Sequence, residues 1–155
     1  MKIQIEKNDK WRDEIDQKLH DFNTKNGKSR YFTVRKNPDE GREIGFYLLQ
    51  DSLLIGGATA IFRHDWLFVD ELFVDESFRG QKLGSSILTV AEDFARQNHL
   101  VGLYLETHEF QARGFYEKNG FTCIGELPDF PRGDCLFFMR KILSQDSCQN
   151  QREML

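Results

Sequence analysis

The sequence predicts a single α/β domain of the α+β kind, in which helices flank a mixed, mostly antiparallel central sheet of about six to seven strands. Its 155 residues are the usual size of one domain with one sizeable core. Short apolar runs alternate with segments of helical periodicity, and no period of about twenty to fifty residues repeats. We therefore expect one domain over residues 1–144 and a polar tail over residues 145–155.

The first half of the chain predicts a helix and several extended segments. Residues 2–6 alternate in polarity as a strand does, and residues 31–34 form another short extended piece without a clear partner. Asp9, or the asparagine before it, begins an amphipathic helix. Its apolar residues are Trp11, Ile15, Leu19 and Phe22. The runs GFYLLQ, LLIGGATAIF and WLFVDELFV, separated by short breaks, predict three antiparallel strands.

The second half predicts helices that alternate with strands. The helix after Gly84 has an apolar side that faces a sheet. That side carries Ile87, Leu88, Ala91, Phe94 and Ala95, whereas Glu92, Asp93, Arg96 and Gln97 lie mostly on the other side. VGLYLET is a strand, and QARGFYEKN is a short helix that ends at Gly120. FTCIGEL and CLFFMRKIL are the last strands, on either side of the loop PDFPRGD.

Composition and charge exclude several function classes. The formal net charge of −4 gives no general attraction for nucleic acid or anionic lipid, so any anion site is local. The cysteines form no CxxC pair and the histidines no ligand spacing, so we expect neither disulfides nor a metal site. No signal-peptide core and no run of about eighteen apolar residues occurs, which favours the cytoplasm and no membrane partner.

The stretch RGQKLGSS, residues 79–86, joins an apolar strand to a helix. A helix N-terminus offers unpaired N–H groups and the positive end of the helix dipole, which suit phosphate oxygens. Gly80 and Gly84 permit a tight turn, while Arg79 and Lys82 add positive charge. Because the stretch matches neither a P-loop nor GxGxxG, a pyrophosphate is favoured over a nucleoside triphosphate or NAD. A turn that binds nothing is the alternative.

The run LFVDESFRGQKLGSSIL, followed by QARGFYEKNGF, resembles the GCN5-related N-acetyltransferase (GNAT) family over nearly the whole chain. The resemblance implies that acetyl-CoA is the co-substrate and that the sheet is splayed beside it. An R/Q-x-x-G-x-G/A turn would hold the pyrophosphate, with Lys82 in place of the first glycine, and the pantetheine arm would lie along the preceding strand. The implied coenzyme contacts are Leu72, Phe73, Val74, Arg79, Gly80, Gln81, Lys82, Leu83, Gly84, Ser85 and Glu109.

Acetyl transfer to an amine needs a proton for the departing thiolate. The resemblance assigns this role to Tyr116, which matches the family tyrosine near the coenzyme sulfur. A phenol has a reference pKa of about 10, so it remains a proton donor at neutral pH. The alternative is a tyrosine at the edge of the core that packs beside Phe115.

The acceptor amine must also lose a proton, and several side chains compete to take it. Glu106 lies on the face of its strand opposite Leu103 and Leu105, where some family members carry a basic carboxylate. Asp70 and Glu71 are further candidates, and strand alternation points them to opposite faces. A solvated carboxylate is the alternative for each of them. His108 ranks below the carboxylates.

The sequence therefore predicts an acetyl-CoA-dependent N-acetyltransferase in which a primary amine attacks the thioester directly in a ternary complex. The acidic residues Glu126, Asp129 and Asp134 around the late loop favour a cationic small-molecule acceptor. A protein or peptide N-acetyltransferase and a non-catalytic acyl-CoA-binding or sensing module remain alternatives. Because family members often dimerise, a homodimer is a further expectation.

Overall fold

Residues 5, 7, 9–26 and 38–143 are described by the structure, a computed structural model. They fall into two compact units, one within Met1–Asn37 and the other within Pro38–Leu155. Of the strand predicted over residues 2–6, only residue 5 is described, and the other residues lie outside the described part. The extended piece at 31–34 and the tail at 145–155 lie outside the described residues. The domain boundary after residue 144 remains a prediction.

The first unit contains helix α1, Asp9–Asn26, where the sequence predicts a helix. Asp9 supplies a negative charge in the first turn and Lys25 a positive charge in the last turn, and both stabilise the helix dipole. The side chains of Glu14 and Lys18, one turn apart, form an ion pair of 2.8 Å. Local charge placement therefore supports this helix over its whole length.

The second unit is built on a six-stranded sheet in the order β1-β2-β3-β4-β6-β5. The strands are β1 (Glu43–Gln50), β2 (Leu53–Arg63), β3 (Trp66–Val74), β4 (Gly102–His108), β5 (Thr122–Pro128) and β6 (Cys135–Ile142). Neighbouring strands are antiparallel except for β3 and β4, which run parallel. The predicted class, a mixed and mostly antiparallel sheet with helices, is confirmed.

The described part of this unit contains two α-helices, α2 (Leu83–Gln97) and α3 (Arg113–Lys118), and a short 3₁₀ turn (Glu76–Phe78) precedes α2. The apolar side of α2 packs on the sheet as predicted. The shared core includes Ala60, Phe62, Leu67, Val69, Leu88, Ala91, Ala95, Leu103, Leu105 and Met139. In the ranges 9–26 and 38–143, no helix combines the length and the apolar character needed to cross a bilayer.

Glu92 departs from the prediction for α2, because it is buried instead of lying on the polar side. Its carboxylate accepts a hydrogen bond of 2.6 Å from the Lys141 ammonium on β6. The same ammonium donates to the main-chain carbonyl of Asn119, just after α3, at 2.8 Å. A buried carboxylate is tolerated when it is paired in this way. The pair therefore ties α2, β6 and the end of α3 together.

A bulge in β3 opens the sheet. Thr59 of β2 opposes Glu71, and the next residue of β2 opposes Val69, so Asp70 has no partner in the register. Pairing between β3 and β4 ends at Val69 and Leu105, whereas β3 continues beside β2 and β4 beside β6. Because a bulge bends its strand and increases the twist, the two strands diverge beyond this point. The predicted splay is therefore present.

Candidate active site

The turn before α2 presents backbone N–H groups to one point. Lys82 occupies the position before the helix, and its carbonyl accepts the first helical hydrogen bond from the Ser86 N–H at 3.0 Å. The N–H groups of Leu83, Gly84 and Ser85 precede that bond and have no partner within the helix. N–H groups in this position, at the positive end of the helix dipole, make the turn a candidate anion site.

Residue conformation explains two of the unusual positions in the turn. Gly80 has φ +80°, in the left-handed region that glycine adopts without strain. Lys82 has φ 62° and ψ 14°, also left-handed, at the position where the family pattern has a glycine. The lysine thus adopts a conformation that glycine reaches without strain, at the cost of local strain.

Gly84 serves a different purpose, which is close packing. A Cβ atom at this position would lie 3.1 Å from Cζ of Phe115 and 3.7 Å from Cγ2 of Val74. The missing side chain therefore lets the start of α2 approach both α3 and the end of β3. This approach brings the anion site next to the open edge of the sheet.

A cavity of about 720 Å³ lies where these elements meet. Its walls come from the end of β3, the turn, the start of α2 and the segment from Phe110 to Phe115. Nine predicted coenzyme contacts line it, namely Leu72, Phe73, Val74, Arg79, Gly80, Lys82, Leu83, Gly84 and Ser85. Gln81 and Glu109 do not line it, and both side chains are exposed. Phe110, Gln111 and Ala112 also line the cavity, and they were not predicted because no local pattern marks them as part of a cavity wall.

The open side of β3 forms one wall of the cavity. Beyond Val69, no strand within residues 38–143 pairs with the side of β3 that faces β4. The Arg79 guanidinium donates a hydrogen bond from Nε to the Val74 carbonyl at 3.2 Å. This carbonyl therefore has a side-chain partner in place of a neighbouring strand. Unpaired backbone groups along a strand suit an extended, amide-bearing ligand.

Tyr116 is part of the core and not of the cavity wall. Its side chain is only 8% exposed, and its ring packs edge-on against Phe115 at 5.2 Å and Phe121 at 5.7 Å between centroids. Burial raises the pKa of Tyr116 above its usual value of 10.0. Phe115 does line the cavity, so the tyrosine lies one ring away from it. The hydroxyl is therefore protonated at neutral pH.

The three predicted carboxylates are not gathered at one point. Glu106 is exposed on β4, on the face opposite Leu103 and Leu105, as its spacing predicts. Asp70 and Glu71 both line a separate depression of about 340 Å³ above β1 and β2. The prediction that alternation sends Asp70 and Glu71 to opposite faces is wrong, because the bulge at Asp70 interrupts the alternation.

His108 and Asp134 lie in contact, which the sequence did not predict. The distance from His108 Nδ1 to Asp134 Oδ2 is 3.0 Å, and both side chains are mostly buried. The imidazole stacks on Phe110, which lines the cavity, with 5.6 Å between the ring centroids. Twenty-six positions separate the two charged residues in the chain, so only the folded sheet reveals the pair. Across the described ranges, no group of three or more metal-ligating side chains occurs.

Known proteins resemble this chain in sequence and in fold. The model of the acetyltransferase (GNAT) family matches residues 5–121. A blasticidin-S acetyltransferase of Streptomyces morookaense is 41% identical over 81 residues, which make up 52% of this chain and only 60% of that protein. An acetyltransferase of Agrobacterium fabrum is 35% identical over 112 residues, covering 72% of this chain and 82% of that protein.

The crystal structure of an acetyltransferase from Bacillus cereus superimposes with a TM-score of 0.70 at 25% identity. It covers 92% of this chain and 98% of the Bacillus cereus chain. The fold, the turn and the family match agree on one assignment. The chain belongs to the acetyltransferase (GNAT) family, whose enzymes take their acetyl group from acetyl-CoA.

Proposed function

We propose that this chain transfers the acetyl group of acetyl-CoA to a primary amine, by direct attack of the amine in a ternary complex. One observation carries the proposal: a single cavity joins the N-terminus of α2 to the open edge of β3. The first feature suits a pyrophosphate and the second an extended chain with amides. Acetyl-CoA carries both groups in one molecule.

Different residues of the cavity hold different parts of the co-substrate. The N–H groups at Leu83, Gly84 and Ser85 bind pyrophosphate oxygens, and Arg79 and Lys82 supply positive charge at the cavity wall. The backbone from Leu72 to Val74 bonds the pantetheine amides, and a main-chain N–H near Val74 receives the oxyanion. Gln81 and Glu109, which do not line the cavity, take at most a peripheral part.

Tyr116 acts in this proposal as the acid that protonates the thiolate. The raised pKa keeps its proton in place at neutral pH, and the ring contact with Phe115 puts it next to the cavity wall. If Tyr116 only filled the core, removal of its hydroxyl would leave turnover unchanged. The variant Tyr116→Phe keeps the ring and therefore separates the two roles.

A cationic small molecule is the acceptor that the charges favour. Glu106 is exposed on β4, and Glu126 and Asp129 are exposed around the connection between β5 and β6. These exposed carboxylates attract an ammonium group before it loses its proton. The name of the Streptomyces relative supports a small molecule as well, since it refers to blasticidin-S. The cytoplasmic location and the homodimer remain predictions.

The first experiment is calorimetric titration with acetyl-CoA, with ATP and NADH in parallel as controls for general phosphate binding. Thiol release is then followed with a panel of cationic amines, neutral amines and lysine-bearing peptides. We expect selective acetyl-CoA binding and turnover with cationic small amines. Faster turnover with peptides would move the acceptor to that class, and binding without any turnover would support the sensing module.

Tyr116→Phe then tests the assignment of the acid. We expect kcat to fall by about 10²-fold while the affinity for acetyl-CoA changes less than about twofold. A matched control is Tyr47→Phe, because Tyr47 is an exposed tyrosine on β1 that does not line the cavity. Equal kcat values for Tyr116→Phe and the unaltered enzyme would assign this tyrosine to the core alone.

A further inference from the structure

The carboxylate of Asp134 is held rigidly where β6 begins. Its Oδ1 accepts a hydrogen bond of 2.8 Å from the Cys135 N–H, while Oδ2 faces His108. The main chain of Asp134 bonds to Pro131 at 2.9 Å and to Phe130 at 3.1 Å. The side chain is 18% exposed. Both carboxylate oxygens therefore have fixed positions, and one of them is directed at the imidazole.

The imidazole of His108 lies near two aromatic rings, and its main chain is tied to a neighbouring side chain. Its ring lies nearly parallel to Phe110, at an angle of 19°, and to Phe130, at 1° with 6.5 Å between centroids. The His108 N–H donates to the side-chain oxygen of Gln111 at 2.8 Å. Nδ1 lies 3.0 Å from Asp134 Oδ2, although this contact does not meet hydrogen-bond geometry. In residues 38–143, Nε2 has no hydrogen-bond partner.

The pair lies between the cavity and the loop that joins β5 to β6. His108 follows Glu106 on the same face of β4, beyond the point where β3 and β4 separate. Two of its contacts, Phe110 and Gln111, also line the cavity. Phe130, in the loop, lies parallel to the same ring with 6.5 Å between centroids. His108 is therefore adjacent both to residues of the cavity wall and to the loop.

We propose that His108, oriented by Asp134, takes the proton from the acceptor amine, which rests on the proposed acetyl transfer. The ammonium group gives one proton to Nε2 and becomes a neutral amine, and the Asp134 carboxylate stabilises the imidazolium that forms. The amine nitrogen then bonds to the thioester carbon, and the C–S bond breaks. The thiolate is protonated by Tyr116, which regains a proton from the amide nitrogen, and His108 releases its proton to water.

This assignment explains the arrangement better than the predicted carboxylates do. A base of this kind needs an orienting partner and contact with the reaction site. Glu106 has no ion-pair or hydrogen-bond partner in the described structure, and Asp70 and Glu71 line a different depression. The histidine has both the partner and the contact with the cavity wall. Histidine is also the side chain that most readily exchanges protons near neutral pH.

Chemical rescue tests the proposal directly. In His108→Ala, we expect kcat to fall by about 10²-fold or more with little change in acetyl-CoA affinity. Added imidazole should restore turnover in proportion to its concentration, because it occupies the space of the missing ring. His99→Asn is the control, since His99 is exposed at the end of α2; it should keep full turnover and show no response to imidazole.

Asp134→Asn provides a second variant that keeps the size of the side chain and the bond to Cys135. It should lose about tenfold or more in kcat without losing acetyl-CoA affinity, because the amide no longer stabilises the imidazolium. Full turnover in His108→Ala, or a loss that imidazole does not reverse, would overturn the proposal while leaving acetyl transfer intact. Absence of turnover in the unaltered enzyme with every amine would overturn both.

Discussion

The left-handed conformation of Lys82 gives a prediction about stability. An L-residue in this region loses about 1–2 kcal/mol relative to the right-handed form, whereas glycine does not. The lysine side chain is exposed and forms no capping hydrogen bond, so little packing is lost when it is removed. Glycine adds freedom to the unfolded chain, which offsets about 0.4–1 kcal/mol of the gain. Lys82→Gly should therefore raise the free energy of unfolding by about 0.5–1 kcal/mol.

Lys82→Ala is the matched control, because it removes the same charge and keeps the strained conformation. Urea unfolding of the two variants isolates the backbone contribution. With a slope of about 2 kcal/mol per M urea, the midpoint of the glycine variant should lie about 0.25–0.5 M above that of the alanine variant. An alanine variant as stable as the glycine variant would refute the reasoning, because residue 82 would then carry no strain.

The same pair of variants separates charge from shape in coenzyme binding. Both should bind acetyl-CoA more weakly by less than about fivefold, since each loses one exposed positive charge. Calorimetry should give the two nearly equal affinities, because the N–H groups of the turn remain in both. A large difference between them would mean that the turn is reshaped by the substitution.

Two further predictions concern buried groups. Glu92→Gln and Lys141→Met should each lower the free energy of unfolding by about 2 kcal/mol, and the double variant should lose less than the sum, because removal of either partner weakens the pairing of a mostly buried charge. Glu117→Gln, which breaks an exposed pair with Arg113 on α3, is the control and should cost less than about 1 kcal/mol; additive losses in the urea cycle would contradict the pairing. Because burial raises the pKa of Tyr116, its contribution to stability is complete below pH 10 and is lost as the pH rises above 10 towards the folded-state pKa. Between about pH 9 and 11, the free energy of unfolding measured in urea should thus fall more steeply with pH for the unaltered protein than for Tyr116→Phe. Parallel curves would mean that the hydroxyl is not buried.

Local patterns predicted the parts of the fold whose cause is local. The spacing of Ile87, Leu88 and Ala91 specifies the buried face of α2, and the sequence RGQKLGSS specifies a turn at a helix N-terminus. Phe110, in contrast, reaches the cavity only because β4 diverges from β3, and no residue type marks that in advance. Helix faces and turns can be predicted from the sequence because they depend on nearby residues. The cavity wall cannot, because segments far apart in the chain assemble it.

Long-range pairs account for most of what the sequence could not predict. Glu92 has the spacing of a polar face, and its burial depends on Lys141, 49 positions later. His108 looks incidental in its strand until the start of β6 places Asp134 beside it. The bulge at Asp70 likewise depends on the register with β2, so simple alternation failed there.

The bulge also changes how the sheet is held together. Only four residue pairs, from Trp66 and Gly102 to Val69 and Leu105, connect β3 to β4. On either side of this short seam lies a three-stranded antiparallel group, β1-β2-β3 and β4-β6-β5. The sheet is thus two half-sheets sharing one short parallel junction, with a wedge-shaped gap beyond it. A ligand that bonded to both edges of the gap would occupy the place of an interior strand and lengthen this short junction.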